Sequence, residues 1–341
     1  MFIKSNAGTK GFLPFSSKTA VFIFLILIAL ASILFSLVQG AVKISVPEII
    51  SVFRGTVTGG AHDIIWNVRF PRTLVAAIVG IHLSLAGALL QGVMRNPMAD
   101  PHIIGVSSGA GLFGIGMIIL FPAYSYLMTP AAFLGALGAA MLVYALAWQN
   151  GVKPVRLILA GIAVSSFFGS GISAMLVFYS DRVDGALLFM VGGLSAKTWP
   201  HFMQLLPYTI IGGLCALMVA GRMNILTLDE QNAKGLGLRV EATRLFVIAI
   251  AALLSASAVS VVGLLGFLGM IVPHVTRLLF GHDYRLQLPA SALIGISVIV
   301  VFDTISRIIF APIELPVGIM MGAVGAPFFV YLLRKKGSHI I

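Results

Sequence analysis

Apolar runs long enough to cross a membrane alternate with short polar connectors along almost the whole chain. Ala20–Val38 is a run of nineteen residues without a charge. As a helix it would rise about 28 Å at ~1.5 Å per residue, close to the ~30 Å of a bilayer core. Further apolar runs lie near 73–93, 103–121, 127–148, 157–178, 205–221, 287–302 and 316–333. One more spans 245–281, too long for a single helix and interrupted only by Gly263, Gly266 and Gly269, so it holds either one span or two. Residues 41–71 differ. Val42, Ile44, Val46 and Ile49–Ile50 recur there in a polar background, which predicts a segment lying along the membrane surface.

A cleavable signal has an apolar core of about 7–15 residues, so the first run predicts a retained span. The pattern divides the chain into a polar tail (1–19), a membrane domain (20–334) and a second tail (335–341).

The polar exception is internal. Thr227–Arg244 carries Asp229, Glu230, Lys234, Arg239, Glu241 and Arg244, with Arg222 just before it, in a chain otherwise poor in charge. It reads as two short helices separated by Lys234-Gly235-Leu236-Gly237. Asp229 can cap the first, and the glycines allow a sharp reversal. A charged helical loop between spans is a natural surface for a soluble partner.

Composition confirms the solvent. Of 341 residues 59% are hydrophobic and 10% charged, against ~25% charged in soluble domains. The chain is therefore an all-α polytopic membrane protein. Its 37 glycines suit spans that pack backbone to backbone. The single cysteine, Cys215, excludes an internal disulfide framework and a cysteine metal cluster. The net charge of +11 is scattered over connectors rather than gathered on an aromatic-bearing domain, so it points to membrane boundaries and not to nucleic acid. Basic residues near both termini want the same side, which makes the number of spans even. Ten spans put fifteen of the 22 Lys and Arg on one side, the side of both termini and of Thr227–Arg244. By the positive-inside rule that side is the cytoplasm.

Chemistry is mostly excluded. There is no Gly-Lys dipeptide, hence no phosphate loop, and ATP chemistry would have to come from another chain. Gly109-Ala-Gly-Leu-Phe-Gly114 matches G-x-G-x-x-G but sits inside an apolar run with no carboxylate about twenty residues on, so it reads as helix packing. His82 and His274 lack a second ligand at helical spacing, and a neutral His bonded to a backbone carbonyl is expected. Asp303 stands four residues before Arg307, and the two can pair on one helix. No HExxH occurs, and no metal site or cofactor is expected.

Three blocks carry a resemblance. The first runs from Arg69-Phe-Pro-Arg72-Thr through Gly80, Leu85-Ala-Gly87 and Gln91-Gly92 to Arg95-Asn-Pro-Met-Ala-Asp-Pro101 and Gly105-Val-Ser-Ser-Gly109. The second is Gly263-Leu-Leu-Gly-Phe-Leu-Gly269 with Pro273-His274, Arg277 and Gly281-His-Asp-Tyr-Arg285. The third is Glu314-Leu-Pro316-Val-Gly318 with Gly325-Ala-Pro327. Together, over roughly 60–335, they resemble the FecCD-type permeases, membrane subunits of ABC importers for ferric siderophores, haem and cobalamin.

The resemblance implies about ten spans in the type II ABC importer architecture, in a bacterial cytoplasmic membrane with both termini inside. It implies a second permease subunit, identical or paralogous, an extracytoplasmic substrate-binding protein and an ATP-binding subunit. The family's coupling helices fall on Asp229, Glu230, Ala233, Gly235, Leu236, Gly237 and Arg239. Arginines at the outer mouth fall on Arg69, Arg72 and Arg307, where guanidinium forks would meet carboxylates of the binding protein. Arg95–Pro101 reads as a structural turn. Ferric siderophore is the expected cargo, with haem and cobalamin behind it, and Met117, Met141, Met175, Met190, Met320 and Met321 would offer a soft wall. An ion-gradient transporter would need an ionisable relay, for which only Asp303 and the two histidines are available. An intramembrane enzyme would need a nucleophile and base that the sequence does not show.

Overall fold

The structure, a computed structural model, describes residues 15–337 apart from 41, 57 and 150. Most of the expected tail 1–19 and the last four residues of 335–341 lie outside the described residues.

Ten apolar helices organise the chain: α1 (Phe15–Val38), α2 (Phe70–Val93), α3 (Val106–Leu120), α4 (Met128–Ala147), α5 (Pro154–Phe178), α6 (Trp199–Leu226), α7 (Val240–Val262), α8 (Leu268–Phe280), α9 (Tyr284–Ile308) and α10 (Val317–Gly337). Among the described residues seven helices are long and apolar enough to cross a membrane by themselves, and α3, α8 and α10 are shorter apolar helices.

The helix at the centre is α2, buried over almost its whole length. Small residues let neighbours come within backbone contact. A Cβ placed on Gly80 would lie 2.4 Å from Gly295 O of α9, and one on Gly87 would lie 1.8 Å from Gly269 O of α8. Close approach of this kind replaces the hydrophobic drive that lipid does not supply. Gly109 meets Gly135 of α4 in the same way, so the G-x-G-x-x-G match is indeed a packing seam.

The run 245–281 holds two helices. The chain breaks at Gly263–Phe267, where Gly263 (φ +79°) and Phe267 (φ +68°) adopt backbone conformations no helix accommodates. The freed main-chain groups find partners in other elements: Leu264 N donates to Phe189 O (3.0 Å) and Gly193 N to Val262 O (2.8 Å). Phe189 belongs to a short helix, Val183–Val191, and Gly192 just beyond it accepts from Gly318 N of α10 (3.1 Å). Irregular backbone at this depth is tolerable because it is enclosed in protein.

The surface segment is a real helix. Val46–Phe53 opens with a Ser45/Glu48 capping box and buries Ile49 and Val52 against α1 and its neighbours. Residues 60–69 are helical too, including a π-helical stretch Asp63–Arg69 that runs straight into α2. Sequence pattern did not foresee that continuation.

Candidate functional site

Functional groups gather at the two ends of the helical body. At one end lies Thr227–Arg244, which is one short helix and the first turn of α7 rather than two short helices. The short helix is Glu230–Gly235. It closes with two bonds, Leu238 N to Ala233 O (3.1 Å) and Gly237 N to Lys234 O (2.9 Å), with Gly237 left-handed at φ +79°. This is a Schellman ending, and Leu238 and Ala233 join the core beneath it as such endings favour. Asp229 stands at the N-cap position, but its side chain caps nothing and lies 3.9 Å from Arg95. Glu230 pairs with Lys234 at 2.8 Å, a hydrogen bond that holds its carboxyl below the usual range.

Asp229, Glu230, Lys234, Gly235, Leu236, Gly237 and Arg239 are exposed; Ala233 is buried. The segment is thus pinned by the apolar Ala233 and Leu238 and presents its charges and glycines outward, with the 63% exposed Leu236. Arg95 braces it from below, donating to Leu226 O at 3.2 Å and to Leu228 O. That gives the Arg95–Pro101 turn a definite structural task. On the other flank Glu241 accepts from Val152 N (3.0 Å), while the buried Arg244 donates to Val152 O (2.7 Å) and to Glu241. The connector before α5 is therefore tied to the root of the segment.

At the opposite end Arg69, Arg72 and Arg307 come together, but not as free forks at a mouth. All three are buried, and each is engaged within the chain. Arg72 grips Asp303 through Nη2 (2.9 Å) and Nε (3.1 Å) and reaches Glu314 at 2.8 Å through Nη1. Arg69 donates to Leu37 O (2.6 Å), Val38 O (3.1 Å) and Val42 O. Arg307 donates to the hydroxyls of Ser36 (2.7 Å) and Thr304 (3.1 Å). Its Nε lies 3.4 Å from Asp303 Oδ2 without forming a hydrogen bond.

The local Asp303–Arg307 pairing read from their spacing is thus the lesser contact. A partner 231 positions away outcompetes it because Arg72 can take both carboxylate oxygens, which a neighbour on the same helix turn does not do here. Glu314 remains half-exposed. Its burial alone would raise the carboxyl, but hydrogen bonds from Arg72 and Ser195 outweigh this and hold it low. Nearby Lys197 is pulled down to about 8 by burial. Glu314 and Ser195 were missed as partners because nothing local marks them. Beyond them Ile309, Phe310 and Ile313 are exposed.

His82 departs from expectation. Fully buried in α2, it meets two hydroxyls, Thr209 of α6 at 2.8 Å and Ser257 of α7 at 2.9 Å, instead of a backbone carbonyl. A neutral ring has one N–H, so it donates to one hydroxyl, which can pass its own proton to a carbonyl of its helix, and accepts from the other. The imidazole joins three helices at one point. No cluster of metal-binding side chains occurs among the described residues. The methionines do not line one surface, since Met321 is buried in the core and Met141 is 68% exposed on α4.

Nine apolar helices around a buried central one, with charged groups gathered at the two ends, define an integral membrane protein built of packed apolar helices. The chain belongs to the FecCD transport family, whose model matches residues 26–335. It is 37% identical over 322 residues to an Fe(3+)-citrate import system permease, YfmD of Bacillus subtilis, covering 94% of this chain and 96% of that one. It is 42% identical over 277 residues to a cobalamin import system permease, BtuC of Halobacterium salinarum, covering 81% and 74%. A solved transporter assigned to the metal-chelate ABC type, in an inward-facing conformation, superposes with a TM-score of 0.84 at 29% identity, covering 93% of this chain and 99% of that one. This chain is accordingly an ABC importer permease, built of membrane helices.

Proposed function

We propose that this permease moves a ferric siderophore across the bacterial cytoplasmic membrane, driven by ATP hydrolysed in a separate subunit. The observation that carries the energy-coupling part is the exposed segment Asp229–Arg239. Its backbone is locked by the Schellman ending and Arg95, while its outer surface touches nothing in the chain. A rigid projection with an exposed leucine among charges suits a soluble partner that must push and be pushed. The segment's side is then the cytoplasmic one, with both termini there.

The opposite end would receive an extracytoplasmic binding protein. Arg69, Arg72 and Arg307 serve that encounter by holding the surface rather than by touching the partner. Exposed to the partner are Glu314 and the apolar loop at Ile309–Ile313. A second permease subunit completes the pathway.

Iron chelate is favoured as cargo by the relative named for Fe(3+)-citrate import, which matches nearly the full length of both chains. The higher identity to a cobalamin permease keeps a corrinoid as the second reading, ahead of haem. The test is uptake of labelled ferric siderophores, haem and cobalamin by cells with and without this permease. Loss of siderophore uptake supports the reading. Loss of haem or cobalamin uptake alone overturns the cargo, and unchanged uptake after inactivating the partner ATPase overturns the energy source.

A further inference from the structure

Helices α4 and α6 both pack on α7 but hardly on each other, leaving a groove floored by α7. The cavity is about 690 Å³ and its walls are almost wholly apolar, with Met141 and Tyr144 on one side, Ile211 and Cys215 on the other, and Ala249 and Leu253 beneath. That volume lies within the ~300–1,000 Å³ of ligand pockets. Water would be unfavourable there, and the faces are those of membrane-spanning helices.

The two ends of the groove differ. Toward the outer mouth Phe133 and Tyr208 meet across it with ring centroids 5.0 Å apart, closing it. Toward the end that carries Asp229–Arg239 the groups beside it are those of a membrane boundary. Trp148 is half-exposed, its ring centroid 5.8 Å from that of Tyr144. The Tyr144 hydroxyl is buried with no hydrogen-bond partner among the described residues. Arg222 continues the face of α6 that carries Ile211 and Cys215, since seven and eleven residues are near-integral turns. It is exposed and in no ion pair among the described residues.

We propose that this groove is a binding site for one anionic phospholipid of the leaflet on that side. The acyl chain lies between α4 and α6 against α7, and the phosphate meets the Arg222 guanidinium. The shape favours a chain that enters from one end only. An apolar lining selects hydrocarbon, and an unpaired exposed cation at the boundary selects negative charge. Aromatic residues at the boundary are placed as they are where headgroups begin. The floor helix grows directly out of the Asp229–Arg239 segment, so the bound lipid stiffens the root of that segment. This inference needs only that the helices are embedded in a bilayer, and it stands whichever cargo is moved.

The test is native mass spectrometry of the full-length permease complex, released from membranes and titrated with phosphatidylglycerol or phosphatidylcholine. The wild type is expected to retain one phosphatidylglycerol per copy of this chain, with a preference over phosphatidylcholine of roughly fivefold, the size one cation near an anionic headgroup supplies. Cys215→Trp fills the groove and should abolish retention. Arg222→Gln, a surface change that does not threaten the fold, should leave a lipid bound but erase the preference. Equal retention in Cys215→Trp and wild type, or an undiminished preference in Arg222→Gln, would overturn the proposal.

Discussion

Arg72 and Asp303 face each other from α2 and α9, with both carboxylate oxygens engaged and both side chains almost fully buried. A charge pair enclosed in this way is strongly destabilising to break, about 3–5 kcal/mol, because the survivor is left buried and uncompensated. Asp303→Leu and Arg72→Met should each lower the thermal midpoint of the purified protein sharply. The double variant should lose less than the two singles together. Additive losses would mean that the pair does not act as a unit.

Gly235 offers a clean way to test the partner surface. A side chain there meets nothing within 4 Å and the residue is helical, so Gly235→Trp adds bulk without strain. Reconstituted with its ATPase, this variant should remain folded and monodisperse yet lose transport and coupled hydrolysis. Gly237 is the poorer site, since its φ of +79° would add a backbone penalty of about 1–2 kcal/mol for any other residue. Undiminished transport by Gly235→Trp would place the ATPase elsewhere.

The helix seam at Gly87 should tolerate nothing larger. Its Cβ would strike Gly269 O, and overpacking of this kind costs about 1–3 kcal/mol even where neighbours can shift. Here the neighbour is backbone. Gly87→Val is expected to shift the protein into aggregates on size exclusion, whereas Gly138→Ala, with open space around it, should behave as wild type. Normal behaviour of Gly87→Val would show that α2 and α8 can move apart.

Burial lowers Lys197 to about 8. Its unfolded value is the ordinary ~10.4, so between those values the unfolded chain binds more protons and stability rises with pH. The thermal midpoint of the wild type should therefore climb from about pH 8 upward, an interval set by the lysine's own shift. Lys197→Met should be flat over that interval and more stable at neutral pH. A parallel climb in the variant would assign the effect to another group.

What the sequence made legible was periodic or local. Nine apolar runs became ten helices, 245–281 holding two, because lipid leaves a backbone little choice, and the Asp229–Arg239 segment stood out by charge alone. The boundary at Gly263–Phe267 was hidden, since its signal is backbone conformation held by Phe189 and Gly193 from a distant stretch. The three arginines do gather at one end, but buried and engaged within the chain. Residue type announces a guanidinium, whereas its partner, Asp303 or Glu314, is decided by tertiary packing. His82 failed for the same reason: hydroxyls from α6 and α7 cannot be seen from α2.

The break between α7 and α8 is fastened mostly by main-chain groups, Leu264 to Phe189, Gly193 to Val262 and Gly318 to Gly192, with the His102 ring 3.3 Å from Leu265 O beside them. These links need glycine at Gly192, Gly263 and Gly318, where a Cβ would strike a main-chain carbonyl, but not any particular side chain elsewhere. The remaining residues of the rim can therefore vary while its scaffold stays in register. Where three stretches of chain are stitched together by backbone, they also travel together. Tilting α10 at its start would drag the Val183–Val191 helix and the α7 terminus with it, as one plate.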